Sequence, residues 1–209
     1  MFTGIVQDLV PILAVKQDDG LMRMQLELAD VAGLRTGASV AVNGVCLTVT
    51  GIAERIVSFD IIAETLKTTT LDTLEQGQRV NVERSFTAGD EVGGHIVSGH
   101  VTGTAAITKR RVNGHDHVLQ FQGNPQWLKF VFHKGFIALD GASLTVSLLD
   151  LDREVFEVSL IPETLARTTL GQVADGGLVN VEVDAATVST VETVERLFSD
   201  PQWRNRLAI

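Results

Sequence analysis

Short runs of alternating apolar and polar residues recur along the chain. Val45, Leu47 and Val49 alternate with Cys46, Thr48 and Thr50, and Ala142, Leu144 and Val146 alternate with Ser143, Thr145 and Ser147. This is the two-residue period of a strand buried on one face. Each run opens on a turn pair: Asn43-Gly44 follows Ser39 to Val42, and Asp140-Gly141 follows Ile137 to Leu139. Both central residues of a type I′ turn have positive φ, which Asn, Asp and Gly tolerate, so each pair predicts a tight hairpin. β-rich runs at Val57 to Ile61 and Val155 to Leu160, with a further turn at Asn113-Gly114, extend the pattern and predict a small antiparallel barrel in each half. The last segment changes period. From about Ala185 to Ser199, Val188, Val191, Val194, Glu195 and Phe198 recur at helical intervals beside Leu197, ending before Asp200-Pro201, which predicts a terminal amphipathic helix. Its apolar stripe either covers a barrel mouth or packs against the same helix of another chain.

The two halves repeat each other. Asn43-Gly44-Val45-Cys46-Leu47-Thr48-Val49 returns 97 positions later as Asp140-Gly141-Ala142-Ser143-Leu144-Thr145-Val146, and Glu64 to Glu83 returns 99 positions later as Glu163 to Glu182 with 11 of 20 residues identical. Solenoid units run to about 20–50 residues, so this longer period marks duplication of a whole small domain. The expected organisation is a first barrel over 1–94, a second over 95–184, and a helix with its tail over 185–209.

A chain of 209 residues, 44% hydrophobic and with only 4 Pro, fits two compact soluble domains. The net charge of −9 includes no basic stripe, which argues against nucleic acid as a partner. Met1 to Val6 has no basic start before an apolar run, and no apolar stretch approaches the roughly 18 residues that span a bilayer, so a cytoplasmic protein without a membrane partner is expected. The single cysteine, Cys46, excludes an intrachain disulfide framework.

Strand alternation puts Cys46, Thr48 and Thr50 on one face and Ser143, Thr145 and Ser147 on the matching face of the second copy. A thiol and a hydroxyl at equivalent places suit a ligand that needs hydrogen bonds and a nucleophile or proton relay. The plainer reading is a strand with its polar side in water, and a lone cysteine is more often a small buried apolar residue than a nucleophile. Gly93-Gly94-His95-Ile96-Val97-Ser98-Gly99-His100 has the glycine spacing of a phosphate loop but lacks its Lys and Ser or Thr, so nucleotide binding of that type is rejected. His95 and His100 are five apart and point to opposite faces of an extended strand, so at most one faces a ligand. His115 and His117 beside the Asn113-Gly114 turn are expected in solvent, and His133 has no evident partner. No metal motif is present, and no metal is expected.

Met1-Phe2-Thr3-Gly4-Ile5-Val6, the Asn43 to Val49 and Asp140 to Val146 segments, Gly93 to His100, Lys134-Gly135-Phe136-Ile137 and Ile161-Pro162-Glu163-Thr164-Leu165 together resemble the alpha-type riboflavin synthase family over the whole chain. The resemblance implies an all-β fold of two tandem Greek-key antiparallel barrels followed by a C-terminal α-helix, assembled as a homotrimer mainly through those helices. It implies one lumazine-type ligand per barrel and a dismutation of two 6,7-dimethyl-8-ribityllumazine molecules to riboflavin and 5-amino-6-(D-ribitylamino)uracil, with no cofactor. Lumazine synthase is a candidate further partner. Catalytic importance is implied for Ser39, Cys46, His100, Ser143 and Asp184. Ligand contacts are implied in the first barrel for Gly4, Ile5, Val6, Cys46, Leu47, Thr48, Asp60, Ile61, Ile62, Ala63, Glu64 and Thr65. In the second they are implied for Gly99, His100, Val101, Lys134, Ser143, Leu144, Thr145, Ser159, Leu160, Ile161, Pro162, Glu163 and Thr164. Lys67-Thr68-Thr69-Thr70-Leu71-Asp72 departs from the family's usual Arg-x-Thr-Asn-Leu-Gly, which touches only a turn geometry and a rim contact. Two alternatives differ in class. Lumazine proteins of luminous bacteria use this fold as an optical antenna, but as a family they lose the thiol and the second-half His and Ser that this chain keeps. A flavin-binding barrel of an oxidoreductase would need an attached nucleotide-binding α/β domain, for which the sequence has no glycine-rich strand-to-helix turn.

Overall fold

In a computed structural model, which describes residues 1–114, 116–201 and 203, the strands form two closed six-stranded antiparallel barrels of identical topology. The first contains β1 (Asp8–Asp18), β2 (Leu21–Glu27), β3 (Ser39–Val42), β4 (Val45–Ala53), β5 (Ile56–Ile62) and β6 (Arg79–Arg84), joined in the order β1-β2-β5-β4-β3-β6. The second contains β7 (Gly103–Asn113), β8 (Asp116–Gln122), β9 (Phe136–Leu139), β10 (Ala142–Asp150), β11 (Val155–Leu160) and β12 (Leu178–Val183) in the matching order. Closure leaves no edge strand free to recruit other chains. Short helices α1 (Ala63–Thr68) and α3 (Pro162–Arg167) follow β5 and β11, α2 (Pro125–Leu128) follows β8, and α4 (Ala185–Ser199) ends the second barrel. His115 and the tail residues 202 and 204–209 lie outside the described residues.

Local chemistry explains the hairpins. Asn43 and Gly44 have φ of 45° and 76°, and Asp140 and Gly141 have 45° and 82°, both central residues being left-handed as a type I′ turn demands. Val45, Leu47 and Val49 point into the first core with Met24, Phe59 and Ile61, while Leu144, Val146, Phe121 and Phe156 fill the second. Register breaks fall at Ile12/Ala14 and Val49/Gly51 in one barrel and at Ile107/Lys109 and Val146/Leu148 in the other. The repeated bulges bend the same strands at corresponding points around each barrel.

A reciprocal hydrogen-bond network joins the barrels back to back. Asn81 Nδ2 donates to the Asp140 carbonyl at 2.8 Å, and Asn180 Nδ2 donates to the Asn43 carbonyl at 2.9 Å. Thr169 N–H donates to Asn81 Oδ1 and Thr70 N–H to Asn180 Oδ1, each at 2.8 Å. The two turns meet so closely that a Cβ on Gly44 would lie 2.6 Å from the Gly141 nitrogen. The repeat is therefore a pseudo-twofold dimer within one chain, and its identical Val-Asn-Val-Glu segments each place an Asn at the joint.

Helix α4 divides its stripe. Val188 and Val191 pack on the second core, whereas Val194, Leu197 and Phe198 remain exposed. Asp184 caps its first turn, accepting from Thr187 N–H at 2.8 Å and Thr187 Oγ1 at 2.7 Å. Among the described residues no helix is long and apolar enough to cross a membrane.

Candidate active site

The polar faces of β4 and β10 lie on the outside of the barrels. Cys46 and Ser143 are half-buried and Thr48 and Thr145 exposed, while the alternating apolar residues face inward. Two connecting segments then cross over. Gly4 C=O accepts from Ser143 N–H at 2.8 Å, and Gly99 C=O accepts from Cys46 N–H at 2.9 Å. Val6 belongs to the second core, and Val101 packs against the first. This corrects the sequence-based grouping, which put Gly4, Ile5 and Val6 with Cys46 and put Gly99, His100 and Val101 with Ser143. Each barrel instead receives the segment that precedes the other barrel's first strand.

Buried carboxylates hold both crossovers. Glu83 accepts from Thr3 N–H, Thr3 Oγ1 and Gly4 N–H at 2.6, 2.8 and 3.1 Å. Glu182 accepts from Ser98 N–H, Ser98 Oγ and Gly99 N–H at 2.7, 2.7 and 2.9 Å. Burial pushes the Glu83 carboxyl above its ordinary range even though these donors favour its charge. Gly4 and Gly99 have φ of 73° and 82°, and a Cβ on either would stand 2.5 Å from the Cβ of Ser143 or Cys46. Gly99→Ala is therefore expected to cost about 2 kcal/mol through strain and displacement of the segment. A melting temperature equal to wild type would refute that close fit.

Beside Ser143 the crossover closes a pocket of about 210 Å3, lined by Gly4, Ile5, Val6, Ala142, Ile161, Glu163, Thr164, Arg167 and Thr168. Ile5 and Ile161 leave an apolar rim exposed, and Glu163 is ion-paired with Arg167 along α3. Pro162 opens that helix and Ser159 is exposed on β11. The corresponding elements of the first barrel carry Asp60, Ile62, Ala63, Glu64 and Thr65. Arg23 binds Asp60 at 2.8 and 3.3 Å and holds its carboxyl below the usual range, chiefly through that hydrogen bond. Leu47, Ile61, Leu144 and Leu160 point into the barrel cores, so at these positions only backbone groups are left to meet a ligand. Lys134 takes a left-handed φ of 65° and its N–H donates to Val146 C=O at 2.8 Å. Ser39 is half-buried on β3 opposite Thr48.

The two histidines of the glycine-rich segment go to different places. His100 is exposed in a cleft of about 460 Å3 between the second barrel and α4, near Glu192 and Arg196. His95 is buried against Ser143, with Nδ1 2.7 Å from Oγ, and its ring stacks on Phe136 at 5.1 Å. Desolvation lowers its basicity, and the Asp184 carboxylate pulls it part of the way back. Sequence reasoning singled out His100 and missed His95, Arg167 and Thr168. For His95 the signal was its place in the same motif, but strand geometry does not apply there: Val97 bridges to Phe2 and Gly99 turns the chain. Among the described residues no group of three or more His, Cys, Asp or Glu is placed to hold a metal.

The lumazine binding domain family matches the chain twice, at residues 3–85 and 98–184. The two barrels and their paired sites thus define a duplicated lumazine-binding protein. A curated riboflavin synthase of Escherichia coli (strain K12) is 45% identical over 202 residues, covering 95% of this chain and 94% of its own. That of Chlamydia pneumoniae is 44% identical over 201 residues, covering 95% and 98%. The crystal structure of LumP complexed with riboflavin shares 26% identity with a TM-score of 0.80, covering 88% of this chain and 100% of that one. The chain belongs to the riboflavin synthase family.

Proposed function

We propose that the chain catalyses the riboflavin synthase reaction, the dismutation of two 6,7-dimethyl-8-ribityllumazine molecules to riboflavin and 5-amino-6-(D-ribitylamino)uracil. The observation that carries it is a pair of sites on one frame that differ at the reactive position, Cys46 facing Gly99 and Ser143 facing Gly4. Identical substrates in such sites can take different roles, one losing a methyl proton to become a carbon nucleophile and the other accepting addition at a ring carbon. Holding the two rings face to face replaces a bimolecular encounter, an effect that supplies several kcal/mol. Backbone groups of Cys46, Leu47, Thr48 and of Ser143, Leu144, Thr145 are suited to the pyrimidine edge. Thr65, Glu64, Thr164 and Glu163 are suited to the ribityl hydroxyls.

The reading includes a cytoplasmic homotrimer. It is supported by the exposed half of the α4 stripe and by Ile5, Ile62, Ile96, Phe132 and Phe136, an apolar surface of the kind that marks an interface. The antenna alternative is disfavoured because relatives named riboflavin synthase reach 45% identity against 26% for LumP. Protein incubated with the lumazine alone is expected to produce riboflavin, read by its fluorescence, in a molar ratio of one for two lumazines consumed. Stable binding without consumption would return the chain to the antenna class.

A further inference from the structure

The two barrels differ where their short helices meet the ligand face. The pocket at Ser143, about 210 Å3, is smaller than the roughly 300–1,000 Å3 of pockets that enclose a whole ligand, so part of a flavin-sized molecule lies at its rim. Glu163 and Arg167 stand on that rim. Both line the pocket, yet their side chains are 65% and 63% exposed. Arg167 Nε donates to Glu163 Oε1, while among the described residues its two terminal nitrogens make no hydrogen bond. A guanidinium presents a fork of N–H donors, so those left over are free for a second oxyanion.

The first barrel lacks this fork. The repeat aligns Glu64, Thr65 and Thr68 of α1 with Glu163, Thr164 and Arg167 of α3. Thr68 turns its hydroxyl back to the Glu64 carbonyl at 3.0 Å, and the Glu64 carboxylate makes no ion pair among the described residues, neighbouring Lys67 included. An anion at one rim meets a guanidinium, and at the other an uncompensated carboxylate.

We propose that the second site, and not the first, accepts a ligand whose ribityl chain ends in a phosphate monoester, held by Arg167. This rests on the reading that Glu163 and Thr164 meet the ribityl hydroxyls, and it deepens that reading. Arg167 lies one helical turn beyond Glu163 on α3, in line with the far end of the chain. The phosphate takes the terminal nitrogens as a bidentate pair while Nε stays on Glu163. Lys67 offers the first site only a point charge. A phosphate ester seated at Arg167 shuts lumazine out, so it inhibits turnover competitively.

The probes are riboflavin and riboflavin 5′-phosphate, titrated by flavin fluorescence, and the quantity read is the ratio of their dissociation constants for one protein. At low ionic strength Arg167→Gln is expected to lower the preference for the ester about 5- to 10-fold, as suits a charge-assisted pair that is partly exposed. Salt at about 0.5 M should shrink that change. Arg167→Lys should keep part of the preference. Glu163→Gln should raise it, because that change frees the guanidinium and removes a repelling charge. A pair that only stabilised α3 would move the ratio in neither variant. Thr68→Arg is expected to add a second ester site per chain, and inorganic phosphate to compete with the ester but not with riboflavin. An unchanged ratio in Arg167→Gln, or exclusion of the ester from wild type, would overturn the proposal and leave riboflavin formation standing. Failure of both flavins to bind would overturn the proposed function with it.

Discussion

Replacing Asp140 by Asn is expected to stabilise the chain at pH 8 and to leave it nearly unchanged at pH 4. Asp140 is fully buried at the joint between the barrels, and desolvation pushes its pKa up to about 7. Its carboxylate accepts from Asn180 N–H at 2.8 Å and Thr169 Oγ1 at 3.2 Å, contacts that favour the charged form but do not offset burial. The folded chain therefore holds this proton over a range in which the unfolded chain has released it. Stability from this group is intact below the unfolded pKa near 4, is lost as pH rises from there to about 7, and then stays flat. The full loss is on the order of 2–4 kcal/mol, from three pKa units discounted for the contacts that solvate the charge. Asn43 shows that the amide fits: its Oδ1 accepts from Asn81 N–H at 2.8 Å as Asp140 Oδ1 accepts from Asn180 N–H. Other groups titrate as well, so the quantity to read is the wild-type minus variant difference in unfolding free energy across pH 4 to 8. A difference that stays constant over that range would show that burial at the joint does not raise the Asp140 pKa above its value in the unfolded chain.

Much of the fold was legible because local rules and the repeat agree. The Asn43-Gly44 and Asp140-Gly141 hairpins, β5, β11 and the limits of α4 fall where turn chemistry and periodicity put them. The opening hairpins were not read. Strand β1 carries Pro11 and a bulge near Ala14, and β7 ends in a run from Thr108 to Asn113 that is exposed except for the half-buried Arg110, so neither shows clean alternation. The turn Asp19-Gly20, with φ of 35° and 84°, was a usable signal that went unused. At the site, the residues came from resemblance and their pairing did not. The resemblance groups Val6 and Val101 as ligand contacts of whichever barrel is nearer in sequence, and nothing local says otherwise. What decides the exchange is Glu83 meeting Thr3 and Glu182 meeting Ser98, 80 and 84 positions apart. The repeated Val-Asn-Val-Glu was visible as a repeat, while the work of its Asn and Glu depends on contacts that only the folded chain makes. His95 was hidden for the same reason, because periodicity cannot describe a segment that belongs to no strand.

Complementation between two inactive chains is expected to restore turnover. Within one chain Phe2, Ala41, Val97 and Ala138 form a buried cluster around the pseudo-twofold axis, beside Cys46, and the pocket at Ser143 does not include Cys46. On the proposed reading, two ligands stack between the first site of one chain and the second site of a neighbour, with the exposed Ile5, Ile62, Ile96 and Ile161 as the surface available for that contact. One chain carries Cys46→Ala and the other Ser143→Ala, each lesion lowering turnover about 10- to 100-fold on its own. Because the crossovers put Gly99 with Cys46 and Gly4 with Ser143, both lesions leave the connecting segments untouched. After joint unfolding and refolding in equal amounts, random assembly pairs two intact sites at about one interface in four. Turnover should therefore return to about a quarter of wild type, in proportion to the mixed oligomers seen by native mass spectrometry. If both ligands instead met within a single chain, every catalytic unit would keep a lesion. Mixed oligomers as inactive as their parents would rule out a site shared between chains.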